Sequence, residues 1–460
     1  MIRALVPVLL AVCAAAADLP AWTVKNPTPD FKKVKANGIE KPTLKFGMIK
    51  LTDCVPIVAA RELGYFAEEG LNVSIEVQPS WKAVMDRLVS GELDGSHCLY
   101  NMPLGAAIGA GAQAELVVAY NICINGMGIT VSNGLWAQAA EQEPRLKEPG
   151  YSLPVSATVI RKVADARKTA GKEPLRFFMT FPAGSHNMTL RYWLGAGGVH
   201  PGYYDGPADS LGKRDADVVL TVNPPPQMAS AMAQGNCDGF CVGEPWNMQV
   251  TLKDGTGRPI NPSQYVFDGA PDKVFAVSKV FAEKNPKTLH GVVRALIRAG
   301  KWLDATSENR RTAIAMLACK EYIAANPEVL AESMVGTYVY GVKDGALDRR
   351  PEPDFNVFYR RHASFPWHSH AVWGLTQMRR WGMVGETKPD AWYHDVAKKV
   401  NRTEIYRTAF ASLLAEGKVS ADELPAEDSR SYPADAFIDK IPFDPATPND
   451  YLGKFAIGLK

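Results

Sequence analysis

The sequence predicts an α/β protein of two lobes, because alternating strand and helix patterns occur in two separate series. The first series begins with a strand at residues 44–49, a helix at 55–63 and a second strand at 72–77. The second series follows residue 130 and includes buried strands at 177–181 and 217–222. With 460 residues, the chain is long enough for each series to bury a core of its own.

The order of these patterns predicts the domain boundaries. We expect a first part of lobe 1 at 43–130, lobe 2 at 131–255, and a second part of lobe 1 at 256–460. The last part returns to the first sheet near residues 274–277 and continues as a helical C-terminal extension. Strands separated by helices predict that each lobe is a mostly parallel sheet flanked by helices.

The charge balance excludes several classes of partner. Lys plus Arg total 51 against 49 for Asp plus Glu, and no basic run exceeds a pair such as Arg349-Arg350. A nucleic-acid-binding protein usually carries a basic stripe, so no nucleic-acid partner is expected. Beyond the N-terminus, no apolar stretch approaches the roughly 20 residues that span a bilayer.

The N-terminus has the pattern of an export signal. Met1-Ile2-Arg3 carries one positive charge, residues 4–17 are almost wholly apolar, and Asp18 ends the run. We therefore expect a signal peptide at 1–17, a flexible leader at 18–42 and a periplasmic protein. Two alternatives are a lipid anchor on Cys13 and a cytosolic protein with a buried N-terminal helix.

The cysteines do not form a disulfide scaffold. Six cysteines other than Cys13 are spread over more than 400 residues. The spacing of Cys237 and Cys241 fits neither a redox motif nor a zinc site, and their state, thiol or bridge, is left open.

Several segments together resemble the nitrate- and bicarbonate-binding solute-binding proteins of ABC importers. The resemblance runs, in order, from residue 42 to about residue 385. Its most specific segment is Cys241-Val242-Gly243-Glu244-Pro245-Trp246-Asn247. The other matching segments are residues 46–56, 62–71, 79–81, 93–97, 184–187, 191–194 and 224–228.

The resemblance implies a type II periplasmic-binding-protein fold that closes on a small oxyanion and delivers it to an ABC importer permease. It also implies a monomer, no catalysis and no cofactor, with Ca²⁺ as a possible exception. Nitrate or nitrite is the leading ligand, and bicarbonate bound with Ca²⁺ is the alternative. A sulfonate-binding protein and a cytosolic nitrate-sensing receptor of the same fold are further alternatives. A related enzyme class, the thiamine-pyrimidine synthases, needs a cysteine-rich motif with His that this sequence lacks.

Elementary chemistry places the anion site at the joints between strands and helices. A small anion must lose water, so its oxygens need hydrogen-bond donors that are fixed beforehand. Helix N-termini supply such donors at the carboxyl ends of strands. Residues 51–55, 79–81 and 183–187 are three such joints, and we expect the cleft between the lobes to collect them.

These joints supply most of the candidate ligand-binding residues. Trp81 offers an indole N–H and a flat face, although an aromatic ring covering a lobe surface is the alternative. Ser185 and His186, at a helix start, are also candidate ligand contacts, and a purely structural role is the alternative for His186. Thr52 and Asp53 either contact the ligand or cap the following helix.

Three further candidates depend on the resemblance. Glu244 either binds in the cleft or accepts backbone N–H groups from the next helix. Met127 stands where the nitrate-binding proteins of the family carry a glutamine. Asp268 stands where they carry a lysine, which suggests a Ca²⁺ ligand as in the bicarbonate-binding proteins. His368 and His370 have a chelating spacing but are expected to be structural.

Overall fold

The computed structural model describes residues 19–148, 150–343 and 345–459. The predictions of a signal peptide at 1–17 and of an acylated Cys13 lie outside these residues. In the described part of the chain, no helix is both long and apolar enough to cross a membrane.

The strands in chain order are β1 (Thr43–Met48), β2 (Asn72–Val77), β3 (Gly95–Leu99), β4 (Leu116–Asn125), β5 (Met127–Ser132), β6 (Arg176–Met179), β7 (Val219–Val222), β8 (Gly239–Gly243), β9 (Gly257–Pro262), β10 (Pro271–Ser278), β11 (Thr337–Lys343), β12 (Ala346–Pro351) and β13 (Asn356–Val357).

The helices are α1 (Phe31–Asn37), α2 (Val55–Glu62), α3 (Tyr65–Glu68), α4 (Trp81–Val89), α5 (Asn101–Ala107), α6 (Asn133–Gln142), α7 (Thr158–Thr169), α8 (Ser185–Ala196), α9 (Met228–Ala233), α10 (Trp246–Met248), α11 (Lys279–Lys284), α12 (Pro286–Ala305), α13 (Ser307–Ala318), α14 (Pro327–Ala331), α15 (His368–Arg380), α16 (Asp390–Val400), α17 (Thr403–Ala415) and α18 (Pro448–Gly453).

Two sheets form the two predicted lobes. The sheet of lobe 1 has the order β13-β4-β10-β3-β1-β2, and the sheet of lobe 2 has the order β7-β6-β8-β5-β9. Both sheets are mixed, whereas mostly parallel sheets were expected. β1 pairs in parallel with β2 and β3, whereas β10 is antiparallel to β3 and β4. The antiparallel pairs arise because the chain enters and leaves each lobe on neighbouring strands.

The chain passes between the lobes at two points that differ from the predicted boundaries. The first is the kink between β4 and β5, where Asn125 and Gly126 have φ angles of 63° and 85°. These left-handed conformations turn the chain out of one sheet and directly into the other. The return is the segment between β9 and β10, residues 263–270. Lobe 2 therefore extends from β5 to β9, and the expected crossings near 130 and 255 shift to 126 and 263–270.

The C-terminal part is mainly helical as expected, but it also contains the strands β11, β12 and β13. β11 and β12 form an antiparallel hairpin within it. Helix α15 contacts α5 of lobe 1 and α8 of lobe 2. The extension thus packs against both lobes.

Residues 19–42 have specific contacts where a flexible leader was expected. The segment contains α1, which Asp30 caps by accepting the backbone N–H groups of Lys32 and Lys33. The indole of Trp22 donates to the buried carboxylate of Glu62 over 3.0 Å. Leu19, Trp22 and Val24 pack against the core of lobe 1.

Candidate functional site

A buried ammonium group lies at the seam between the two lobes. The Nζ atom of Lys273 is 2.6 Å from Oδ1 of Asp272 and 2.9 Å from Oδ2 of Asp53. All three side chains are inaccessible to solvent. A buried lysine is costly unless carboxylates compensate its charge, and here two of them do.

A bulge in β10 brings Asp272 and Lys273 to the same place. Adjacent side chains of a regular strand point to opposite faces of the sheet. The register between β10 and β4 shifts on both sides of Lys273. Such a bulge redirects side chains, so both charged groups reach the seam.

Lobe 2 contributes the N-terminus of α8. The Oγ atom of Ser185 donates to the backbone carbonyl of Asp272 over 2.9 Å. The Nε2 atom of His186 is 3.0 Å from Nζ of Lys273, and its Nδ1 atom is 2.8 Å from Oγ1 of Thr180. These contacts join lobe 2 directly to β10 of lobe 1.

Lobe 1 adds a histidine and a tryptophan. The Nε2 atom of His97, on β3, is 2.7 Å from Oδ1 of Asp53. The ring of Trp81, in the first turn of α4, lies edge-on to that of His97 at 5.1 Å between centroids. The buried indole N–H of Trp81 has no hydrogen-bond acceptor among the described residues. We call Asp53, His97, His186, Asp272 and Lys273 the Lys273 cluster.

The pKa values within the cluster follow from burial and from this pairing. Burial would raise the pKa of Asp53, but Lys273 and His97 outweigh it and hold the pKa at about 2. Burial would lower the pKa of Lys273, but Asp272 and Asp53 raise it above its usual value. Burial and the neighbouring Lys273 lower the pKa of His186. His186 is therefore neutral near pH 7, while Lys273 and Asp53 are charged.

Thr52 and Met127 lie at the edge of the cluster. The backbone N–H of Thr52 donates to the carbonyl of Glu244 over 2.7 Å, a further link between the lobes. Met127 pairs with Gly243 across β5 and β8. A side chain at Gly243 would point at Asp53 and Lys273, and residues opposite each other in an antiparallel pair share a face. Met127 therefore faces the cluster with an apolar side chain.

Glu244 accepts a backbone N–H group of the following helix, which is the alternative considered for it. Its Oε2 atom accepts the backbone N–H of Met248 over 3.1 Å, and its Oε1 atom accepts the hydroxyl of Tyr338 in a short hydrogen bond. Burial raises the pKa of Glu244 to about 7.

The two histidines at 368 and 370 bind protein groups, as a structural role predicts. The Nε2 atom of His368 is 2.9 Å from the carbonyl of Asn401, and that of His370 contacts the hydroxyl of Tyr432. Cys237 and Cys241 are buried free thiols.

The structure does not bring Asp268 to the cluster, and this corrects the expectation of a Ca²⁺ ligand there. Its half-exposed carboxylate pairs with Arg361 at 2.9 Å. The carboxylates that do reach the seam, Asp53 and Asp272, are paired with Lys273, whose ammonium takes the place that a cation would need. The residues present therefore do not fit a calcium ion.

Three members of the cluster were missed from the sequence. His97 was part of a matching segment but received no role, and Asp272 and Lys273 precede the strand predicted at 274–277. The sequence feature that could have indicated Asp272 and Lys273 was a pair of opposite charges at the start of an otherwise apolar strand.

Two α/β lobes linked by two strand crossings, with a polar cluster buried between them, define the periplasmic-binding-protein fold. The chain belongs to the NMT1-like family, whose model matches residues 37–318. It is 30% identical over 439 residues to the nitrate/nitrite binding protein NrtA of Nostoc sp. PCC 7120, covering 94% of this chain and 89% of that protein. It is 26% identical to the bicarbonate-binding protein CmpA of Synechococcus sp. PCC 6301, covering 92% and 88%.

A solved structure agrees with this assignment. The crystal structure of the periplasmic nitrate-binding protein NrtA from Synechocystis PCC 6803 superposes with a TM-score of 0.78 at 28% identity. The match covers 91% of this chain and 100% of that one. The resemblance to nitrate- and bicarbonate-binding proteins and the expected fold class are thereby confirmed.

Proposed function

We propose that this protein binds a small inorganic oxyanion, nitrate or nitrite, in the seam between its lobes and delivers it to an ABC importer. The observation that carries the proposal is the buried ammonium of Lys273, which faces His186 of the opposite lobe at 3.0 Å. The ammonium supplies N–H donors at the seam, where burial strengthens a charge-assisted hydrogen bond to an anion. The indole N–H of Trp81 adds a donor that has no acceptor among the described residues.

Nitrate or nitrite is favoured over bicarbonate bound with Ca²⁺. Lys273 and a calcium ion would compete for the same two carboxylates, so a metal-dependent site does not suit this cluster. The names of the nitrate-binding relatives, at 28–30% identity over most of the chain, support the same ligand.

Titration calorimetry tests the ligand. We expect nitrate and nitrite to bind without Ca²⁺, and bicarbonate to bind more weakly whether or not Ca²⁺ is present. Lys273→Met should abolish nitrate binding in protein that circular dichroism shows to be folded. The matched control is Lys279→Met, because Lys279 is partly exposed and pairs with Glu115. Calcium-dependent binding of bicarbonate by the unmodified protein would contradict the proposal.

A cavity beside the seam favours sulfonates as the second candidate. It has a volume of about 500 Å³ and lies between Lys82 and Met85 of α4 and residues 181–183 of lobe 2. Its lining is mostly apolar, which would suit the organic group of an alkanesulfonate. Ethanesulfonate that bound more tightly than nitrate would favour this candidate.

We further propose that the protein is exported to the periplasm and acts as a monomer. The signal-like pattern of residues 1–17 supports export. Mass spectrometry of the native protein tests this: a mature N-terminus at Asp18 means a soluble form, and an acylated Cys13 means a tethered form. An intact Met1 would contradict export.

A further inference from the structure

The donors of Lys273 are all occupied within the protein. Its ammonium has three N–H groups, and three acceptors surround it: Oδ2 of Asp53, Oδ1 of Asp272 and Nε2 of His186. An entering anion must therefore displace one of these acceptors from Lys273.

The cluster also carries a net negative charge. Asp53 and Asp272 contribute two carboxylates, and Lys273 contributes one positive charge. His97 accepts the backbone N–H of Ile49 at Nδ1, which requires a neutral ring. His186 is likewise neutral, because its Nε2 atom accepts from Lys273. The buried net charge is −1, and an anion entering alone would make it −2, at a large electrostatic cost.

His186 is the acceptor that an anion can displace. It belongs to lobe 2, whereas Asp53 and Asp272 share lobe 1 with Lys273, so opening the lobes breaks this contact first. An anion between Nζ and Nε2 leaves the Nε2 lone pair facing a negative ligand, which is repulsive. Protonation of Nε2 converts this repulsion into a charge-assisted hydrogen bond.

The surroundings of His186 permit this protonation. Lys273 opposes a positive charge on the ring, whereas Asp272, at 3.3 Å from Nε2, and Asp53 favour it. The titratable group of the neighbouring β8 is Cys241, and burial raises the pKa of this thiol well above its usual value. On α15, Arg380 faces α8 at Gly195, more than two turns from His186.

We propose that each monovalent anion binds between Lys273 and His186 together with one proton, which Nε2 of His186 takes up and donates to the anion. The proton comes from solvent, the ring becomes an imidazolium, and no other bond changes. The net charge of cluster and ligand stays at −1, as before binding. This inference rests on the proposed anion-binding function.

Calorimetry with nitrate tests the proposal, because nitrate is too weak a base to carry the proton itself. We expect titrations at pH 8 in phosphate and in Tris to differ in enthalpy by the difference in buffer ionisation enthalpy, which corresponds to about one proton per nitrate. Above the pKa of His186, the Kd for nitrate should rise about tenfold per pH unit.

Two outcomes separate this proposal from the function on which it rests. Nitrate that binds with no proton uptake and with a constant Kd from pH 6 to pH 9 would overturn the coupling and leave the anion-binding function standing. If neither nitrate nor nitrite binds at any pH, the function fails and the coupling fails with it.

Substitutions test whether His186 is the group that takes up the proton. His186→Gln keeps a side-chain N–H donor but cannot titrate, so nitrate binding should lose its pH dependence. Asp272→Asn removes one negative charge, so nitrate should bind more tightly at pH 8.5 and with less than half a proton. The control is His290→Gln, a half-buried histidine on α12, which should keep the tenfold slope. Retention of that slope in His186→Gln would overturn the assignment to His186.

Discussion

The Nζ atom of Lys273 lies 2.9 Å from Oδ2 of Asp53, and neither side chain is exposed to solvent. The two residues are 220 positions apart in the sequence and lie on β10 and on the joint between β1 and α2. The ion pair therefore connects the segment by which the chain re-enters lobe 1 to the first strand–helix joint of the same lobe. The position of Lys273 at the seam is therefore correct only when both segments of lobe 1 have folded.

Lys273→Met should destabilise the protein by about 3–5 kcal/mol, because it leaves two buried carboxylates without a cation. Urea unfolding at pH 7 measures the loss. The loss should shrink at lower pH, where the carboxylates of the variant take up protons instead of remaining buried as anions.

The same pair predicts that a second substitution compensates. Adding Asp53→Asn to Lys273→Met should recover part of the stability, because one of the uncompensated charges is removed. The exposed Lys279→Met serves as the control and should change the free energy of unfolding by less than about 1 kcal/mol. Equal losses for the two lysine variants would contradict the paired arrangement.

Trp81→Phe should weaken nitrate binding at least tenfold, since it removes an indole N–H that has no acceptor among the described protein groups. The stability of the ligand-free protein should change by less than about 2 kcal/mol, because no intramolecular hydrogen bond is lost. Calorimetry and thermal unfolding measure the two effects. Trp136→Phe, in α6 of lobe 2, is the matched control and should leave the affinity unchanged. An unaltered affinity in Trp81→Phe would place the indole outside the ligand site.

Glu244 predicts a dependence of stability on pH. Its pKa is raised by burial from 4.5 to about 7 in the folded protein. A carboxyl whose pKa is raised on folding stabilises the folded state most at low pH, and this contribution disappears as the pH rises from about 4.5 to about 7. Glu244→Gln should therefore flatten the stability profile over this interval, by at most about 3 kcal/mol.

Thermal unfolding between pH 4.5 and pH 8 tests this prediction. The size of the pH-dependent change is the relevant quantity, because glutamine cannot accept from both Met248 and Tyr338 and so carries a constant cost. Glu115→Gln, at an exposed position, should leave the profile as it is in the unmodified protein. An unchanged profile in Glu244→Gln would mean that Glu244 does not titrate in this range.

The sequence predicted the parts of the site that local patterns encode. Strand–helix joints are recognisable from alternating residues, caps and helix starts, and from them the sequence predicted that Asp53, Trp81 and His186 share one region. The resemblance supplied the fold class. The strand limits of β2 and the start of α4 also agree with the structure.

The rest of the site depends on long-range geometry that a single sequence does not reveal. The bulge in β10 is visible only from its register with β4, and without it Asp272 and Lys273 would point to opposite faces. Asp268 was predicted as a site residue because it was matched to a lysine of the nitrate-binding proteins, yet its carboxylate pairs with Arg361. The first lobe boundary, predicted at 130, lies instead at the kink of Asn125 and Gly126, which divides β4 from β5.

That kink predicts a large effect for Gly126→Ala. Gly126 has a φ angle of 85°, and a Cβ atom there would overlap Oδ1 of Asn356 on β13. The substitution should cost about 2–4 kcal/mol of stability, from backbone strain and from displacement of a buried side chain. Because Gly126 joins the two lobes, we also expect weaker nitrate binding.

Gly91→Ala is the matched control. Gly91 has a φ angle of 79°, but no atom lies within 4 Å of the added Cβ. This variant should therefore show the backbone strain alone, about 1 kcal/mol. Urea unfolding and calorimetry compare the two variants, and equal effects would show that the contact with Asn356 does not constrain the crossing between the lobes.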